Sequence, residues 1–160
     1  MAQLKRKDFA HYFDTSATGE ANWELEGIGV EALSLAYNPQ IDTFKQIIDD
    51  VASSTFDSYQ IQSSVSGKRI DKDDPIWKWL NEARKKAESI ETKMLEVNMA
   101  SGTGSGALSY EALQYNVLIV INEFLGENAT ISYDVYVKGK PTVGSVTITD
   151  GKPAFTVSAD

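Results

Sequence analysis

Ile131-Ser132-Tyr133-Asp134-Val135-Tyr136-Val137 is the stretch whose reading decides the fold. Ile131, Tyr133, Val135 and Val137 alternate with Thr130, Ser132, Asp134 and Tyr136. A period of two puts one face of an extended strand in a core and leaves the other to polar surroundings. Lys138-Gly139-Lys140 reads as a turn. Val146 and Ile148 then alternate with Ser145, Thr147 and Thr149, Asp150-Gly151 is a tight-hairpin dipeptide, and Phe155 to Val157 closes the set.

The same pattern extends towards the N-terminus. Leu113 to Leu125 is a long strand, apolar on both faces at its centre, and Gly126-Glu127-Asn128 turns the chain after it. Leu95, Val97 and Met99 alternate with Glu96 and Asn98. Tyr59, Ile61 and Val65 alternate with Gln60, Gln62, Ser64 and Ser66, a half-buried strand with one polar face. Leu33, Leu35 and Tyr37 predict another strand, Asn38-Pro39-Gln40 a turn, and Ile41 to Ile48 a return strand. Residues 49–57 read as a polar loop. Residues 1–30 read as an irregular arm, carrying Trp23, Leu25, Ile28 and Val30 as anchors that pack on something.

One helix is expected over 75–87. Asp74 is a good N-cap and Pro75 a good first helical residue. Ile76, Trp79, Leu80, Ala83 and Ala87 then form one apolar stripe. Arg84, Lys85 and Lys86 collect at the C-terminal end, where cations suit the helix dipole. Consecutive strands joined by short turns pair antiparallel. The expectation is therefore a mainly β chain with one α-helix, an antiparallel sandwich or barrel of seven or eight strands with the helix on one side. Residues 1–160 make a single domain, long enough to bury roughly 70% of its unfolded surface.

Composition narrows the chemistry. The chain has no cysteine, so it can form neither a disulfide framework nor a thiolate metal site, which fits a reducing cytoplasm or a particle made there. Its single histidine, His11, rules out a histidine metal cluster. No apolar run approaches the ~18 residues of a membrane span. The formal charge of −8 argues against a domain that grips nucleic acid.

The tempting motifs lack their contexts. Gly102-Thr103-Gly104-Ser105-Gly106-Ala107 formally fits a dinucleotide-binding loop, but strand-like sequence follows where a helix is needed. Ser66-Gly67-Lys68-Arg69 lacks the upstream glycine and the following Ser or Thr of a phosphate loop. Asp71, Asp73 and Asp74 lack the glycine and glutamate of a calcium loop and read as a solvated helix N-terminus. No cofactor, metal or catalytic group is expected, and the chain reads as a non-enzyme. What stands out is a surplus of apolar residues on polar elements. Trp23, Leu25 and Ile28 in the arm, Val51 and Phe56 in the loop, and Trp77 off the helix stripe are expected at subunit contacts.

Three segments together resemble the major tail tube protein of long-tailed bacteriophages, of the non-contractile type found in phages of Gram-positive hosts. They are Trp23-Glu24-Leu25-Glu26-Gly27-Ile28-Gly29-Val30 running into Tyr37-Asn38-Pro39-Gln40, then Ser53 to Val65 with the following Gly67-Lys68-Arg69-Ile70-Asp71-Lys72-Asp73-Asp74-Pro75-Ile76, and Leu113 to Thr149. The resemblance implies a β-sandwich with a flanking helix, stacked as hexameric rings into a hollow tube. It implies that the arm and the 49–57 loop reach neighbouring subunits, and that phage DNA passes down the channel without specific binding. It also implies tape-measure, tail terminator and distal tail partners, and a place in the virion after assembly in the host cytoplasm. Tubes of contractile injection systems share the fold. Within this frame Ser34, Gln60, Gln62, Ser64 and Ser66 are expected to face the channel. An acidic, polar wall repels phosphates and lets DNA slide. Two other readings remain from the residues alone: a carbohydrate- or receptor-binding β-sandwich, and a nucleotide-binding enzyme using the Gly102–Ala107 loop.

Overall fold

The alternating stretches become strands of one curled sheet. The computed structural model describes residues 2–16, 19–106, 108–126 and 128–158. A short 3-10 turn, Arg6–Asp8, leads into β1 (Phe9–Asp14), β2 (Trp23–Glu26), β3 (Pro39–Phe44), β4 (Ser53–Tyr59) and β5 (Gln62–Arg69). Helix α1 (Pro75–Lys86) follows, then β6 (Ile90–Thr103), β7 (Ser109–Phe124), β8 (Thr130–Thr149) and β9 (Lys152–Val157). Seven strands form one sheet in the order β2-β1-β6-β7-β8-β5, with β9 also pairing β8, while β3 and β4 form a separate hairpin. All these pairings are antiparallel. The mainly β fold with one helix is as expected.

The sheet curls until its edges almost meet. Just beyond β2, Gly29 O accepts from Arg69 N of β5 at 3.0 Å. On the other side Lys152 Nζ of β9 donates to Trp23 O at 3.1 Å and to Glu24 Oε1 at 2.7 Å. The result is a nearly closed barrel with cores on both faces of its middle strands. Met94 and Leu95 are adjacent on β6 and both fully buried, one in each core. Phe13 and Tyr12 of β1 divide the same way. The larger core takes Val117, Ile119, Tyr133 and Val135 from β7 and β8, and α1 covers it with Ile76 and Leu80. The helix begins as expected, with Asp74 Oδ1 accepting from Ile76 N at 3.0 Å. It ends at Ala87, whose left-handed φ of 53° breaks the ladder.

Four expectations need correction. Residues 1–30 are not an irregular arm: β1 and β2 belong to the main sheet. β1 escapes a period-two reading because Phe9-Ala10-His11-Tyr12-Phe13 is covered on both faces. Residues 32–37 form no strand and touch the sheet ladder only through Ala36 opposite Gln62. Their alternation instead marks Leu33 and Leu35 docking onto the larger core as coil.

Lys138-Gly139-Lys140 is not a turn. The 20-residue β8 runs straight through it, with Gly139 at φ 79°. Gln114 pairs with Thr142 and Asn116 with Lys138, so the extra residues of β8 bulge out while β7 keeps pairing on both sides. Finally, the 49–57 loop is shorter than read, because Ser53 to Tyr59 is β4. Asp150 and Gly151 do make the tight hairpin, both with positive φ (52° and 77°). In the turn after β7, Glu127 lies outside the described residues, as does Ala107 of the glycine-rich loop.

Candidate assembly surface

The β3–β4 hairpin stands apart from the barrel. Its base is tied down where Ala36 and Gln62 exchange backbone bonds of 2.8 and 2.9 Å, and where Gln60 N donates to Tyr37 O at 3.0 Å. Beyond that base the hairpin has little cover: Ile41, Phe44 and Phe56 are more than half exposed. At the tip Ile47 is 102% exposed, Ile48 82% and Val51 79%. Ile41 lies directly opposite Phe56 on the same face. Tyr59 packs on Phe56 with ring centroids 4.7 Å apart and on Tyr37 at 5.4 Å.

Physically this element is incomplete. A two-stranded hairpin is marginally stable in water unless something packs against it. Burying one large aliphatic side chain is worth about 1.5–3 kcal/mol. Exposed apolar side chains gathered on one protruding element mark a candidate docking surface.

The six residues expected at subunit contacts separate under the structure. Val51 and Phe56 lie on the exposed hairpin, and Leu25 and Ile28 are about half exposed near the barrel seam. Trp23 is corrected to a core residue, buried in the smaller cluster beneath β9. Trp77 is half-buried in its own chain: it stacks on Phe124 at 5.9 Å, and the Arg84 guanidinium lies 4.0 Å from the same ring. Sequence reading missed Ile41, Phe44, Ile47 and Ile48 by assigning them to an ordinary return strand. The available signal was Ile47-Ile48 running straight into Asp49-Asp50, an apolar pair no strand period would bury.

The expected polar row also has a definite place. Gln62, Ser64 and Ser66 share the exposed face of β5, Gln60 is exposed in the link from β4, and Ser34 is exposed in the coil after β2. Ser64 Oγ donates to Asp134 Oδ1 of β8 at 2.7 Å, and Asn122 Nδ2 of β7 donates to Asp134 Oδ2 at 2.8 Å. The row thus widens into a polar face across three strands. The glycine-rich loop joins β6 to β7, with Thr103 paired to Ser109, so a strand follows it where a dinucleotide site requires a helix.

Beneath the seam lies a buried ionic cluster that sequence reading took apart. Lys68 Nζ donates to Glu26 Oε1 at 2.6 Å and to Ile28 O at 2.5 Å, and sits 2.8 Å from Asp74 Oδ2. Tyr133 OH donates to the other oxygen of Glu26. The side chains of Lys68, Glu26 and Asp74 are all 0% exposed. Asp74, expected to be solvated, is therefore a helix cap and an ion-pair partner at once. Burial raises the Glu26 carboxyl above its usual range, outweighing the nearby Lys68 ammonium that pulls the other way. Burial, reinforced by Glu26, also pushes the Tyr133 hydroxyl well up. Next door, His11 is buried, with Nδ1 3.2 Å from the Arg6 guanidinium; burial and then that charge lower it to about 4. Among the described residues, no three His, Cys, Asp or Glu side chains are grouped to hold a metal ion, and no helix is long and apolar enough to cross a membrane.

No protein-family model matches the chain, and no curated protein matches it in sequence. Among solved structures, a chain from the cryo-EM structure of the anti-feeding prophage baseplate, 6-fold symmetrised, is similar over 89% of this chain and 95% of its own. The identity is 9% and the TM-score 0.49.

Proposed function

We propose that this chain is a structural subunit that joins copies of itself, stacking as hexameric rings into the tube of a phage tail, and that it acts without catalysis. The observation that carries this reading is the β3–β4 hairpin, whose tip presents Ile47, Ile48 and Val51 almost fully to solvent. A sibling molecule is the partner always available at matching concentration, and a closed ring satisfies every such edge. The sequence resemblance described above supports the same reading and supplies the hexamer and the tube.

The charge suits a conduit. Each copy carries −8, and the exposed row Gln60, Gln62, Ser64 and Ser66, with Ser34 nearby, is itself uncharged. In this reading that row lines the channel and DNA passes without specific binding. Tape-measure, terminator and distal tail proteins are the further partners, and the particle is built in the host cytoplasm. A sugar-binding module is less well supported. The exposed rings of Phe56, Tyr59 and Tyr37 meet at 55° and 76° and form no flat stacking platform.

Negative-stain microscopy of the purified protein at high concentration tests the assembly, and rings or tubes are expected. The cysteine-free chain then allows Gln62→Cys and Ser64→Cys to be labelled in assembled tubes. Labels buried between subunits instead of reached from the channel would refute the lining.

A further inference from the structure

The buried cluster around Lys68 has one ammonium facing two carboxyls, and it sits at the root of the hairpin limb. Glu26 ends β2, Asp74 caps α1, Lys68 is on β5 and Tyr133 on β8. The cluster also holds Ile28 O, at the start of the coil that leads from β2 to the hairpin. One residue later Gly29 O takes the Arg69 backbone bond that closes the barrel seam. The other ties of this coil are Val30, Leu33 and Leu35 against the larger core and the Ala36–Gln62 bridge.

With both carboxyls ionised, the cluster carries a buried net charge of −1 that no other group at Glu26 offsets among the described residues. Tyr133 contributes a neutral donor. His11, directly across from Glu26 on β1, has its Nδ1 turned to Arg6 and its buried Nε2 unpartnered. With one proton added to Glu26, the ammonium and the Asp74 carboxylate form a balanced pair, Lys68 still donates to Glu26 Oε1, and the new O–H on Oε2 donates to the Tyr133 oxygen, whose own hydroxyl proton turns away.

We propose that this cluster is a proton-operated clamp on the seam between β2 and β5, tight when Glu26 is protonated and looser when it is ionised. The clamp sets how firmly the hairpin limb is presented, and to that extent it rests on the assembly reading. Burial favours the protonated carboxyl, the direction the clamp requires. The folded chain then binds the extra proton from the ordinary carboxylate range up to the raised value of Glu26. Stability of the seam is greatest below that window and falls as pH rises through it.

The test is hydrogen exchange of residues 28–36 from pH 5 to 8, corrected for the intrinsic rate, on the full chain at a concentration where it is monomeric, with parent and variants all carrying His11→Asn so that the opposite pH dependence of that buried imidazole is absent. The expected result is protection that falls with rising pH, by up to about tenfold per unit while the proton is lost. Glu26→Gln, which is neutral and of the same shape, should be as protected at pH 8 as the parent at pH 5, with a flat profile. Tyr133→Phe, which removes a donor to the ionised form, should carry the loss on to higher pH at no steeper slope, without unbalancing the charge. Protection independent of pH in the parent, or an unchanged slope in Glu26→Gln, overturns the clamp. A chain that never assembles but shows the pH-dependent protection rejects the tube reading and leaves the clamp standing.

Discussion

At the residue scale, three positions carry the sharpest expectations. A Cβ on Gly29 would lie 2.3 Å from Arg69 O, and Gly29 holds φ +74°. Gly29→Ala should therefore cost at least about 1–3 kcal/mol in urea unfolding; an unchanged midpoint would show the seam to be looser than described. Lys68→Met removes the ammonium that pairs with Glu26 and Asp74 and leaves two buried carboxyls facing each other. A loss of about 3–5 kcal/mol is expected.

His11 supplies a pH dependence of opposite sign to that of Glu26. Its value falls from 6.5 in a free chain to about 4 when folded, so the unfolded chain takes up the proton first. Its contribution is intact above 6.5 and is lost as pH falls towards 4. Thermal unfolding between pH 7 and 4 should be less acid-sensitive in His11→Asn, and an identical slope in both proteins would count against the buried placement. None of these roles was legible in the sequence. Glu26 and Lys68 are 42 positions apart, and Glu26 and Tyr133 are 107. Local pattern sees Lys68 as a broken phosphate loop and Asp74 as a solvated cap, because their partners are chosen by the closure of the barrel.

At the element scale, the legible parts are those set by local chemistry. Asp74-Pro75 starts α1, Asp150-Gly151 turns β8 into β9, and the apolar run of β7 marks a central strand. The illegible parts are those where tertiary cover overrides period. β1 is covered on both faces, so it does not alternate. The coil at 32–37 alternates without being a strand. Lys138-Gly139-Lys140 has turn chemistry, yet β7 pairs with β8 on both sides of it, so the strand continues through a bulge. The candidate surface was half legible: Val51 and Phe56 were recognised, but the hairpin that presents them was not.

That hairpin yields its own expectation. Ile47→Asp with Ile48→Asp changes two side chains that are already in solvent. Monomer stability should move by no more than about 0.5 kcal/mol per site, while association is lost. A large drop in unfolding temperature would mean that the tip packs on its own barrel and is no docking element.

At the scale of the whole molecule, the sheet order, the two-sided core and the seam produce a barrel that is nearly sufficient by itself. The hairpin is the part of the molecule with the most exposed apolar side chains. Under the proposed function, folding and assembly are separable: the barrel has its two cores within one chain, and the apolar tip of the limb is free to meet another. Sedimentation velocity over a dilution series, run in parallel on the parent and on Ile47→Asp/Ile48→Asp, measures this most directly. The account predicts that the parent shifts from a 17.6 kDa monomer to large species as concentration rises, while the double variant stays monomeric throughout. A parent that remains monomeric at every concentration, or a double variant that assembles as well as the parent, would contradict it.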